Sequence, residues 1–155
     1  MLNQSTSSKS LIFLTNRISR MLAHKIRRSF SEQQRSLKSE HMGILADLWR
    51  EDGIRQQDLV VSTIKNKGTI ARALNFLEKE NIVVRVPDTH DKRSKLIYLT
   101  HRGKQLQAEL TPLADEAQQE ITQNVDAGEL KICLKVLSQI YDDLGDSCIN
   151  NDIKQ

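Results

Sequence analysis

Aromatic residues, cysteine and glycine are all scarce in this chain, and each scarcity excludes something. The six aromatics (Phe13, Phe30, Trp49, Phe76, Tyr98 and Tyr141) are too dispersed to outline a ligand pocket. The six glycines form neither GxGxxG nor GxxxxGK[ST], so no phosphate-cradling loop is expected. With no activated nucleophile or carboxylate pair in view either, the chain does not read as an enzyme, and no cofactor is expected. Cys133 and Cys148 lack CxxC or Cys/His ligand spacing, which argues against a disulfide framework or a structural zinc and leaves them as buried or idle thiols. Apolar runs are only a few residues long, and MLNQSTSSKS has neither the basic start nor the apolar core of a signal peptide. A cytoplasmic protein with no membrane partner is therefore expected.

Charge is unevenly divided along the chain. The formal net charge is only +3, but residues 65–104 hold ten Lys/Arg against four Asp/Glu, a net of +6, and residues 105–155 hold three against ten, a net of −7. A polyanion would be drawn to the first stretch and repelled by the second, which orients an encounter as well as favouring it. On charge alone, an unevenly solvated surface explains the pattern equally well.

Periodicity narrows the choice. Leu11, Leu14, Ile18, Leu22 and Ile26 mark an amphipathic helix over about residues 9–29. Ser39 is placed to cap a second helix carrying Met42, Leu45, Leu48 and Trp49 and ending at Gly53. A short third helix is expected near residues 55–63. Asn66 is placed to cap a fourth, with Ile70, Ala73, Leu74 and Leu77 inward and Lys67, Thr69, Arg72, Asn75 and Lys79 outward. It should stop at Asn81, since Asn tolerates the left-handed conformation a helix end requires.

Then VRVPDTHDKRSKLIYLT (residues 84–100) sets two β-branched runs, IVVRV and LIYL, around a charged loop. Thr100 is placed to cap a long helix with Leu106, Leu110, Leu113, Ala117, Ile121 and Val125 on one face, kinked or broken at Pro112. Asp126 and Glu129 have reciprocal-cap spacing for a last helix presenting Leu130, Leu134, Leu137, Tyr141 and Leu144. The whole reads as a mainly α (α+β) chain.

A polar-faced helix followed by a basic hairpin suits double-stranded DNA. The helix fits the major groove, and the hairpin tip offers Lys92, Arg93 and Lys95 to the backbone or the adjacent minor groove. The three helices outside this unit each carry an apolar stripe that so small a module cannot bury, so a second copy of the chain is expected to cover them. The alternative is that they fold back to complete a monomeric core.

Several of these residues carry a family resemblance. Leu77-Glu78 at the end of the fourth helix, Arg85 on the strand, Asp91-Lys92-Arg93 in the loop and the Leu99-Thr100-x-x-Gly103 start of the next helix resemble the MarR family of winged-helix regulators, and Glu40–Leu59 is similar to its two preceding helices. The likeness covers roughly residues 40–110. Asn81 departs from the usual Gly, and Arg55 stands where a Thr or Ser cap is common.

The resemblance implies a winged helix-turn-helix over residues 36–104, flanked by dimerisation helices in 1–35 and 105–155. It further implies a homodimer on a pseudo-palindromic operator, and a repressor that a small aromatic or anionic effector releases. Carried over position by position, DNA binding falls on Asn66, Lys67, Thr69, Arg72, Asn75, Arg85, Asp91, Lys92, Arg93 and Lys95. Arg93 would enter the minor groove and Asp91 would brace it. The rival reading is a winged helix that binds a protein or RNA without ligand control. His41 beside Glu40 is similar to the metal-binding pair of the family's zinc-responsive members, but no His-x-x-x-His follows, so no metal is expected. His24, His90 and His101 read as solvent-facing. Thiol-based peroxide sensing is not expected, since no cysteine precedes Cys133.

Overall fold

The computed structural model of the chain describes residues 10–152, with side chains to residue 145. Its elements run α1 (Leu11–Arg28), α2 (Ser39–Arg50), β1 (Ile54–Arg55), α3 (Gln56–Ser62), α4 (Lys67–Lys79), β2 (Val83–Pro87), β3 (Lys95–Leu99), α5 (His101–Thr122) and α6 (Ala127–Asp152). A 3-10 turn at Gln33–Ser36 joins α1 to α2. This is the helix order read from the sequence, with one strand added.

The core lies where α2, α3 and α4 converge on the sheet. Ile44, Leu45 and Leu48 of α2, Leu59 of α3, Ile70, Leu74 and Leu77 of α4, and Val83 and Ile97 of the strands are fully buried. Each such side chain contributes about 1.5–3 kcal/mol relative to exposure. The α4 stripe is the one its spacing predicts, and all four of its members are buried.

The sheet is antiparallel in the order β1-β3-β2. Strand β1 was not expected, because two residues are too few to show a period. Its pairing of Ile54 with Ile97 is set up by Gly53 instead, whose φ of +82° turns the chain and whose N–H donates to the Ile97 carbonyl at 3.0 Å. A Cβ on Gly53 would lie 2.6 Å from the Tyr98 ring. Gly53 therefore opens β1 and does not end α2, which stops at Arg50.

Two further expectations shift and one holds. Lys38, not Ser39, is the first cap of α2, and its backbone N–H is taken by His41 Nδ1 at 3.0 Å. Helix α5 is continuous through Pro112, which lies on its exposed side, so of the kink or break expected there the break does not occur. Asp126 does cap α6, accepting from the N–H groups of Gly128 (2.8 Å) and Glu129 (3.0 Å).

Helices α1 and α6 are dressed for contact. No side chain of α1 is buried, and Ile12, Met21, Ile132 and Leu144 are each more than 60% exposed. Helix α1 packs on α5 mainly through its half-buried C-terminal part, where Ile26 meets the core and Lys25 pairs with Glu120 at 2.7 Å.

Candidate nucleic-acid interface

Helix α4 begins at Asn66, whose Oδ1 accepts from the Thr69 N–H at 2.8 Å. That bond satisfies one of the free N–H groups at the helix start and fixes the direction of the first turn. Lys67, Arg72 and Asn75 are exposed; Thr69 is half-buried and its hydroxyl accepts from Arg72 at 3.3 Å. The turn before it closes α3 in a left-handed residue. Lys65 N–H reaches the Val60 carbonyl and Ile64 N–H reaches that of Val61, with Ile64 at φ +52°. A non-glycine residue there costs about 1–2 kcal/mol.

The loop between β2 and β3, residues 88–94, is internally braced. Asp88 N–H donates to the Ser94 carbonyl at 3.1 Å, and Ser94 N–H to that of Asp91 at 2.9 Å. The Asp88 carboxylate is tucked under the loop, accepting from the His90 N–H at 2.9 Å and pairing with Arg55 of β1 at 3.1 Å. The His90 N–H chiefly, with Arg55 adding, holds this carboxyl below its ordinary 3.8. A lowered folded-state pKa stabilises the loop above pH 3.8, and that contribution is lost as pH falls further. Asp91 Oδ1 accepts from the Arg93 N–H at 3.0 Å, so Asp91 braces the backbone of Arg93. Lys92, Arg93 and Lys95 are exposed.

Arg85 is placed differently from the others. Its side chain is only 13% exposed and its guanidinium is paired with Glu78, donates to Asn75 Oδ1 at 2.8 Å and reaches the Ala71 carbonyl at 3.5 Å. It stitches the hairpin to α4 from behind. Arg55 and Asp88, which the sequence reading did not select, support the same hairpin from β1. Their partnership spans 33 positions and leaves no local signal.

His41 is buried and lies flat on Phe76 of α4, with ring centroids 4.3 Å apart and planes 4° from parallel. Burial pushes its imidazole below the ordinary 6.5, opposed in part by Glu40. As pH falls through 6.5 the unfolded chain gains a proton that the folded chain resists, so folding weakens. Protonating Nδ1 would also break the Lys38 contact. His41→Phe should therefore lose ground to the parent at about pH 7.5, and the gap in melting temperature should narrow at about pH 5.5. A gap independent of pH would contradict this role.

Among the described residues, no group of three or more His, Cys, Asp or Glu is arranged to hold a metal, and no helix is long and apolar enough to cross a membrane. His24, His90 and His101 are exposed on separate elements. Cys133 is exposed, not buried, and the Cys148 side chain lies outside the described residues.

A capped polar helix and a braced cationic hairpin, joined by one arginine, occupy the segment that matches a known family. Residues 37–95, α2 to the start of β3, match the MarR family. They form a MarR-family winged helix-turn-helix domain.

Over a wider span, this chain is 24% identical to the transcriptional regulator HosA of Escherichia coli across 126 residues, 76% of this chain and 92% of that one. A MarR transcriptional regulator from Methanosarcina mazei Go1 is 28% identical with a TM-score of 0.71, covering 85% of this chain and 96% of that. PcaV of Streptomyces coelicolor, solved in complex with its natural ligand, has the same fold at a TM-score of 0.67 and 21% identity, covering 92% and 96% of the two chains.

Proposed function

We propose that this MarR-type regulator is a sequence-specific binder of double-stranded DNA that acts as a homodimer, represses its targets and is released by a small molecule. The observation that carries the reading is the junction at Arg85, which fixes a cationic hairpin beside the polar face of α4. Lys67, Thr69 and Arg72 are the groups offered to the major groove, with Asn66 setting the helix start. Lys92, Arg93 and Lys95 are offered to the backbone and minor groove. Asp91 and Arg85 hold these groups in position.

The dimer follows from exposed apolar helices that also differ in charge. Helix α1 carries Arg17, Arg20, Lys25, Arg27 and Arg28 without an acid, and α6 carries Glu129, Asp142, Asp143, Asp146 and Asp152 against two lysines. Two copies can bring unlike surfaces together over the apolar stripes. For the effector, a cleft of about 380 Å³ opens between α1 and α5, lined by Lys25, Arg28, Ser29, Leu113, Glu116 and Glu120 among others. Its two cations face two carboxylates, Glu116 and Glu120, and Lys25 is already paired with Glu120, so a ligand there would have to displace that contact. That PcaV was solved with a natural ligand supports ligand control in a protein of this fold.

Mobility shift against duplex at two salt concentrations tests the reading, because phosphate contacts release counterions and affinity should fall steeply with salt. Arg93→Ala should weaken binding by about 1–2 kcal/mol while the melting temperature stays within about 1 °C of the parent. Duplex binding that ignores both salt and Arg93, or preference for RNA or protein over duplex, would defeat it.

A further inference from the structure

Ile64 stands in a costly conformation for its residue type. It is β-branched yet left-handed at φ +52°, and its side chain is 84% exposed, more than any other large apolar side chain among the described residues. At the other described positive-φ positions the chain uses Gly53 and Asn81, whose side chains suit that backbone. At the end of α3 either would close the helix equally well. Among the described residues nothing offsets the choice of isoleucine, since a side chain so exposed packs on little. An exposed, strained residue of this kind points to a contact outside the chain.

Its place says what that contact is. Ile64 precedes Lys65, Asn66 and Lys67, so it stands at the entry to α4, followed by two exposed lysines and beside the first helical turn. An apolar tip next to two lysines is poorly matched to an apolar protein surface and well matched to a polyanion that carries apolar groups. The duplex major groove supplies one, the C5-methyl group of thymine.

Resting on the DNA-binding reading above, we infer that Ile64 is a specificity residue that packs against a thymine methyl at the groove edge, next to the bases faced by the first turn of α4. It adds a large apolar side chain to a surface otherwise made of lysine, arginine, amide and threonine groups. The contact exchanges no proton and needs no ligand beyond the duplex.

The test uses full-length protein and a duplex selected by it, in which each thymine is replaced in turn by deoxyuridine, which lacks only the methyl. The parent should lose about fourfold in affinity at one thymine of each half-site, the size expected for one methyl returned to water. Ile64→Gly and Ile64→Asn, which remove the contact from both half-sites of the dimer, should bind the all-thymine duplex about sixteenfold more weakly and should no longer respond to that exchange. Both should melt no lower than the parent, because the left-handed strain is relieved. A parent indifferent to every exchange, variants that keep the parent's response, or a loss equal on all sequences overturns the inference while leaving DNA binding intact. A parent that binds no duplex at all refutes the DNA reading, and this inference with it.

Discussion

Gly103→Ala should destabilise the protein by about 3 kcal/mol and lower its melting temperature by roughly 6–12 °C. A Cβ at this position would collide with the Ile82 carbonyl oxygen and come within 3.1 Å of Leu99 Cδ2. The carbonyl cannot yield freely. It accepts from the Thr100 N–H at 3.0 Å, while the Thr100 hydroxyl donates chiefly to the adjacent Asn81 carbonyl and caps α5 by accepting from the Gly103 N–H at 3.0 Å. Moving Ile82 would therefore disturb the turn out of α4, the start of β2 and the start of α5 together. The glycine lets the long helix begin against the hairpin base. Gly145→Ala is the control, since its Cβ would meet nothing within 4 Å in the middle of a helix and should stabilise slightly. Trp49, the single tryptophan, packs against the core and gives the unfolding signal. Equal melting of Gly103→Ala and parent would show that this junction is looser than drawn.

Arg85→Ala should weaken operator binding by about 2–3 kcal/mol, more than the loss of an exposed wing cation, although Arg85 is largely covered. Removing the guanidinium leaves Glu78 without its partner and Asn75 Oδ1 without its donor, so the hairpin is no longer locked to α4. Both arms of the reading surface then lose their fixed separation. The pair is partly exposed, with Glu78 at 40%, so the stability cost should stay near 1 kcal/mol and the protein should remain folded. The distinguishing readout is the ratio of operator to random-duplex affinity. A positioning residue lowers the ratio, because the phosphates can still be found by a misaligned wing. A phosphate contact would leave the ratio unchanged and flatten the salt dependence.

What the sequence disclosed was whatever a single element carries by itself. The buried stripe of α4 was readable because Ile70, Ala73, Leu74 and Leu77 repeat with the helix, and the Asn66, Thr100 and Asp126 caps because each bonds within three residues. What stayed hidden depends on partners far along the chain. Strand β1 exists through Ile97, Asp88 is covered through Arg55, and His41 leaves the surface to lie on Phe76. The placement of Arg85 shows the same limit. Its position in the motif suggested a DNA contact, but only the fold shows its guanidinium turned onto Glu78 and Asn75. Pro112 failed to break α5 because its exposed side leaves room for the ring and lets water reach the freed carbonyl.

The central claim is that α4 and the hairpin form one surface, presented twice by a dimer and matched to duplex pitch. Selection of bound duplexes from a random pool tests it most directly. The expected product is an inverted repeat whose half-sites lie about 10 base pairs, or a multiple, apart. A pool that stays random, or that enriches a single unpaired site, would contradict it.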